Sequence, residues 1–159
     1  MAMTTLKEGM PAPAFQGVDQ NGETVSLAKL QGKKVVLYFY PKDNTPGCTA
    51  EACNLRDNFD HFRKQGFEII GISPDSETSH KKFSAKNELP FPLLSDPDKE
   101  ILKAYGAWGE KKMYGKTYEG VLRSTFIIDE NGTIEKIFKK VKTKDHSNQI
   151  FSELNINQE

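Results

Sequence analysis

The stretch YPKDNTPGCTAEAC, residues Tyr40–Cys53, holds both cysteines of the chain and decides how the rest is read. The run that enters it, Lys34 to Tyr40 (KVVLYFY), is β-branched and aromatic with almost no polar interruption. A run of that kind predicts a strand buried on both faces, as in a mixed or parallel sheet. Pro41 ends it. Thr45-Pro46 then has the form of a helix N-cap followed by proline at the first helical position. The stretch is therefore a strand that delivers a thiol, Cys48, to the first turn of a helix.

Downstream, Cys48, Ala52, Leu55, Phe59 and Phe62 recur at spacings of four and three. At about 100° per residue they lie within roughly 40° of the direction of Cys48, so Cys48 belongs to the face that packs on the sheet. Cys53 lies about 140° away, on the polar side. Gly66 closes this helix as a C′ residue. A helix's first turn offers unpaired N–H groups and the positive end of its dipole, and both favour a thiolate, the nucleophilic form of cysteine. Residues five apart on an intact helix have Cα atoms about 8.6 Å apart, whereas a disulfide needs less than about 7 Å. If Cys48 and Cys53 bond, the first turn has to unwind.

The chain has 159 residues, enough for one domain with its own core, residues 1–159. Its 22 basic and 22 acidic residues leave no cationic excess to drive nucleic-acid binding. No apolar run approaches a membrane span. The N-terminal MAMTTLKEGMP lacks the apolar region of a signal peptide, so a cytoplasmic setting is expected, where thiols stay reduced. Gly9 to Phe15 is extended, and the turn at Val18 to Gly22 with a strand at Glu23 to Leu27 makes an N-terminal hairpin. Phe67 to Ile72 is a second buried strand. A helix starts at Ser73-Pro74-Asp75 and runs to about Asn87, and a short strand lies near Leu93-Leu94. Asp96-Pro97-Asp98 caps a short helix ending near Tyr105. Gly106 to Gly120 reads as a long connection whose aromatics pack under a loop. Ser124 to Ile128 and Thr133 to Phe138 pair across the DENG turn, and a last helix runs from about Lys144 to Leu154. The order is α/β with a mixed central sheet flanked by helices. The lysine-rich KIFKKVKTK from Lys136 reads as a solvated sheet edge.

The pattern Pro41-x-x-x-Thr45-x-x-Cys48 resembles the active-site signature of the peroxiredoxins, and Cys53 resembles the resolving cysteine of their Q-type, or bacterioferritin comigratory protein, subgroup. GISPDSETSHKKF from Gly71, FPLLSDPD from Phe91 and MYGKTYEGVLRSTFIID from Met113 agree with it, so the resemblance spans about Gly9 to Leu154. It implies a thioredoxin-like fold with the N-terminal hairpin as an extension. It also implies reduction of hydrogen peroxide and organic hydroperoxides, as antioxidant defence. Cys48 would attack, become a sulfenic acid, and form a redox-active disulfide with Cys53. Thr45 and Arg123 would donate to the peroxide, with backbone N–H groups near Gly47. Pro41 and Pro46 would shield the thiolate. Glu51 would orient Arg123 from behind. The family reductant is thioredoxin, sometimes glutaredoxin, with no metal, flavin or nucleotide in the cycle. The subgroup is often monomeric, so a monomer is expected.

Plainer readings stand beside this one. A buried structural cysteine is the commonest fate of a lone Cys48, and Cys53 could be incidental. Two cysteines five apart lack metal-ligand spacing. A thioredoxin-like disulfide oxidoreductase is disfavoured because the motif is not Cys-x-x-Cys. A non-enzymatic redox sensor, whose unwinding exposes a partner surface, stays open as a second role. His61, His80 and His146 read as surface or capping residues.

Overall fold

The computed structural model describes residues 5–156; residues 1–4, part of the N-terminal stretch read for targeting, lie outside them. In chain order the strands are β1 (Gln16–Val18), β2 (Thr24–Ser26), β3 (Lys34–Phe39), β4 (Phe67–Ser73), β5 (Leu93–Ser95), β6 (Trp108–Met113), β7 (Lys116–Val121), β8 (Ser124–Ile128) and β9 (Ile134–Phe138). The helices are α1 (Pro46–Asp57), α2 (Phe59–Lys64), α3 (Glu77–Asn87), α4 (Glu100–Ala104) and α5 (His146–Glu153). No helix among the described residues is long and apolar enough to cross a membrane.

The apolar run before the cysteines is β3, at the centre of a five-stranded sheet in the order β5-β4-β3-β8-β9. It pairs parallel with β4 and antiparallel with β8. The sheet is therefore mixed, with helices on its faces and the β1–β2 hairpin ahead of it: a thioredoxin-like fold, as expected. Side chains alternate across a strand, so β3 feeds two cores. Val36, Tyr38 and Tyr40 join Cys48, Ala52, Leu55, Phe62, Ile150 and Phe151 on one face. Val35, Leu37 and Phe39 join Phe15, Leu102, Tyr105 and Phe126 on the other. Burial on both sides is why the run shows no polar alternation. Gly71 on β4 leaves room for this packing, because a Cβ there would come within 2.8 Å of Tyr38 Cζ.

Several boundaries differ from expectation. The cysteine helix does not run unbroken to Gly66. It stops at Asn58 (φ −111°, ψ 12°) and restarts as α2. The cause is a set of side chains that replace the ladder. Asn58 Nδ2 and Ser147 Oγ both donate to the Asn54 carbonyl, at 2.9 and 3.1 Å, so that helical acceptor is satisfied without the next turn. Gly66 does close α2, with φ +87°. The third helix begins later than Ser73-Pro74-Asp75: Ser73 ends β4, and Ser76 is the N-cap, accepting from the Ser79 amide at 3.1 Å.

The largest correction is Gly106 to Gly120. It is no loose connection but a hairpin, β6–β7, in register from Trp108↔Val121 to Met113↔Lys116. Tyr114 and Gly115 form its tip, both with positive φ (52° and 77°), the geometry of a tight two-residue hairpin turn. Of its aromatics Tyr105 is buried at the base, but Tyr114 is 97 % exposed. The alternation expected of a strand was hidden because most of this hairpin is solvated on both sides.

Candidate active site

Cys48 occupies the third position of α1, behind Thr45 as N-cap and Pro46 as first helical residue. Its stripe of apolar neighbours turns it inward, and the thiol is 2 % exposed. Both cysteines are free. The Thr45 hydroxyl makes no capping bond to the helix; it donates to the Lys42 carbonyl at 2.8 Å. It does not reach Cys48 in this arrangement. The amides of Gly47 and Cys48 belong to the first turn, where N–H groups have no intrahelical acceptor.

The remaining donor arrives from the sheet. Arg123 directly precedes β8, whose partner is β3, so its register places the guanidinium beside the helix that β3 feeds. Arg123 Nη2 donates to Cys48 Sγ at 3.2 Å, and Nη1 donates to Glu51 Oε1 at 2.7 Å. Gly47 lies against this approach: a Cβ there would stand 3.4 Å from Nη2 and 4.0 Å from Thr143 Cγ2, in ordinary contact with both. Partial burial works against the Arg123 charge, but Glu51 and Cys48 outweigh it and raise its pKa above the ordinary value. Glu51 is fully buried, one turn along α1. Burial pushes its carboxyl up to about 7, against the pull of Arg123. The result is a near-buried sulfur at a helix N-terminus with a fixed, permanently charged donor on it, an arrangement suited to nucleophilic attack with charge developing nearby.

A family model described as the AhpC/TSA family matches residues 9–137. The chain belongs to the AhpC/TSA family. Among curated relatives, peroxiredoxin Bcp of Escherichia coli strain K12 is 46 % identical over 150 residues, covering 94 % of this chain and 96 % of that protein. Peroxiredoxin Bcp of Bacillus subtilis strain 168 is 49 % identical over 142 residues, covering 89 % and 90 %. Among solved structures, the bacterioferritin comigratory protein of Xanthomonas campestris, studied for its alkyl peroxide reduction activity, superposes with a TM-score of 0.86 at 36 % identity, over 96 % of this chain and 97 % of that one.

In this AhpC/TSA chain the other residues named from sequence divide into two groups. Pro41, Pro46 and Gly47 border Cys48 in the chain and are half-buried or exposed, at the rim rather than in the core. Cys53 sits on the far side of α1, half-buried, with Sγ 3.6 Å from Asn87 Oδ1 at the end of α3. Both cysteines lie within one continuous helix, so the separation that forbids a direct bond applies.

The histidines need correcting. His80 and His146 are fully buried, not surface residues, and His61 is half-buried with its ring 4.6 Å from that of Phe151. His146 lies behind Glu51, its Nε2 3.8 Å from Oε2. Gln149 fixes the tautomer. Its Nε2 donates to the Lys140 carbonyl and its Oε1 accepts from the Lys142 amide, so the His146 Nδ1, 2.8 Å from that Oε1, is a donor. The Nε2 then accepts from the Thr125 hydroxyl at 2.8 Å. Burial lowers His146 to a pKa of about 4, with the Gln149 bond opposing and the Arg123 charge assisting. His146 and Thr125 are site neighbours that the sequence reading missed. No spacing rule links Glu51, Thr125 and His146, which come from α1, β8 and α5.

Proposed function

We propose that this chain is a thiol peroxidase in which Cys48 reduces hydroperoxides and Cys53 resolves the product. The observation that carries it is the Arg123 guanidinium, 3.2 Å from the Cys48 sulfur and braced by buried Glu51. The Cys48 sulfur attacks one peroxide oxygen; the S–O bond forms as the O–O bond breaks, and the departing alkoxide or hydroxide takes a proton. Arg123 and the first-turn amides stabilise the charge on the oxygens. To join them, the Thr45 hydroxyl turns from the Lys42 carbonyl toward the substrate. Cys48 is left as a sulfenic acid. The first turn of α1 unwinds, the Cys53 sulfur displaces hydroxide from Cys48, and a disulfide and water result. A disulfide made at the expense of helix is strained and readily reduced.

Organic as well as inorganic peroxides are the expected substrates, in keeping with the alkyl peroxide chemistry of the Xanthomonas relative. The cycle requires a thiol reductant, for which thioredoxin is our choice and glutaredoxin the alternative. The chain is read as one functional domain acting as a monomer in the cytoplasm, an antioxidant enzyme that needs no metal or organic cofactor. The test is stopped-flow oxidation of the reduced protein by hydrogen peroxide and by an organic hydroperoxide, with mass spectrometry of the product. A rate far above that of a free thiol, ending in a Cys48–Cys53 disulfide, is expected. A rate no better than a free thiol would leave a redox sensor as the better description.

A further inference from the structure

Away from the sulfur, a dense polar cluster lies where the loop after β3 meets α3. Asp43, two residues before Thr45 and five before Cys48, is 6 % exposed. Its amide donates to Asp75 Oδ2 at 2.7 Å. Its Oδ1 accepts from the Tyr40 hydroxyl at 2.6 Å, and its Oδ2 from the Ser79 hydroxyl at 2.8 Å. That same Oδ2 lies 2.7 Å from Nδ1 of fully buried His80. The other ring nitrogen of His80, Nε2, is 3.1 Å from the Leu94 carbonyl on β5. A carbonyl only accepts, so Nε2 carries a proton. One further proton lies between Nδ1 and Oδ2, whichever atom owns it. The pair is thus neutral overall, and removing the ring takes one partner from a buried carboxyl that Tyr40 and Ser79 still hold. Asp43, Asp75 and His80 bring three ligand-type atoms within 4.8 Å of one another, but each is already engaged by hydrogen bonds. The cluster is a clamp rather than a cation site.

Its position gives the clamp a consequence. Downstream of Asp43, Asn44 is held by Lys86 at the surface, the Thr45 hydroxyl bonds to neighbouring Lys42, and the Thr45 carbonyl accepts from the Thr49 amide of α1 itself. Asp43 is therefore the buried anchor that fixes the loop leading into the first turn of α1, the turn that has to unwind before Cys53 can reach Cys48. We propose that His80 is a positioning residue: through Asp43 it holds residues 41–45 where Cys48 meets Arg123, favouring the peroxide step and restraining the disulfide step. This rests on the peroxidase reading above. It goes beyond that reading by assigning the balance between the two steps to a histidine that touches neither sulfur.

The test is rapid-quench mass spectrometry of the full-length protein, counting sulfenic acid and disulfide separately after mixing with peroxide. In His80→Gln the amide reaches toward Leu94 and the Asp43 contact is lost; in His80→Asn the amide stands near the position of Nδ1 and still donates to Asp43. For His80→Gln we expect sulfenic acid formation to slow about tenfold, the size of one hydrogen bond, and disulfide formation to quicken. His80→Asn should restore both rates toward wild type. The proposal is overturned if both variants match wild type, if they shift alike, or if both steps slow together as the melting temperature falls. Should the His80 variants not fold, Ser79→Ala removes one donor from the same Asp43 oxygen and has to give a smaller split of the same sign; an unchanged Ser79→Ala would then overturn it. A wild-type Cys48 that peroxide does not oxidise would sink the peroxidase reading instead. The clamp would still be judged by hydrogen exchange at residues 45–49, which should be faster in His80→Gln than in His80→Asn.

Discussion

Cys48 and Cys53 share one helix and one chemistry, yet they differ in burial, in place along the helix and in the donor on the sulfur. Cys48 lies in the first turn, almost sealed from water, under a guanidinium that is itself held by a buried carboxylate. Cys53 lies beyond that turn, half-buried, facing the neutral Asn87 amide at 3.6 Å. The helix dipole fades within a turn, and no arginine side chain is bonded to the Cys53 sulfur among the described contacts. The comparison teaches that a division of labour between two identical side chains needs only a displacement along and around one helix. The same displacement keeps them apart until the helix opens.

The sharpest way to break this comparison is to remove each sulfur in turn. Cys48→Ser should abolish peroxide consumption, whereas Cys53→Ser should keep a single full-rate oxidation of Cys48 and lose the intramolecular disulfide. Stopped-flow kinetics with mass spectrometry reads both, and equal loss in the two variants would erase the distinction. Next in size is the guanidinium that is bonded to the Cys48 sulfur. Arg123→Ala should slow the peroxide step by about 10²–10³-fold, the loss typical of a donor to developing charge. Arg123→Lys should recover only part, because an ammonium cannot hold Cys48 and Glu51 through two fixed N–H groups. Wild-type rates in Arg123→Ala would remove the guanidinium from the account.

A third prediction concerns the helix between the sulfurs. Hydrogen exchange across residues 45–55 should show a protected helix in the reduced protein and lost protection in its first turn once the disulfide forms. Identical protection in both redox states would mean the sulfurs meet by some other route.

The smallest effect is a pH dependence behind the site. Glu51 is raised from 4.5 to about 7, so its proton favours the folded state fully below 4.5, and that contribution is lost as pH rises through 7. His146 is lowered from 6.5 to about 4, so its contribution is full above 6.5 and lost as pH falls through 4. The opposed slopes should nearly cancel between about 4.5 and 6.5, leaving stability flat there from these two groups. Glu51→Gln removes one slope, so its denaturant midpoint should climb with pH from about 4 to about 6.5. A midpoint that stays flat in the variant would show that the two groups do not titrate as placed.

Much of this molecule was open to a reading of residues alone. Thr45-Pro46 marked the start of α1, and Cys48, Ala52 and Leu55 marked its inward face, with Phe59 and Phe62 of the same stripe falling on α2, because caps and periodicity act over a few residues. The break at Asn58 escaped, since it depends on Ser147 arriving from α5 to take the Asn54 carbonyl. The β6–β7 hairpin escaped because a strand pair solvated on both sides leaves no apolar alternation. His80 and His146 were misplaced for a related reason: a polar side chain is buried only where partners satisfy it, and these include residues distant in the chain, Asp43 and Leu94 for His80 and Thr125 for His146, which Gln149 on the same helix joins.

By itself, then, the sequence determined where a thiol would stand, at the mouth of a helix fed by a doubly buried strand, and which way each cysteine would face. Those are consequences of neighbours within a turn or two. Only the tertiary structure decided what the sulfur meets there, because Arg123 lies 75 residues along the chain and reaches Cys48 through the antiparallel pairing of β3 with β8. A charge is held beside a buried sulfur by the register of a sheet and by the carboxylate behind it, and neither can be read from spacing along a chain.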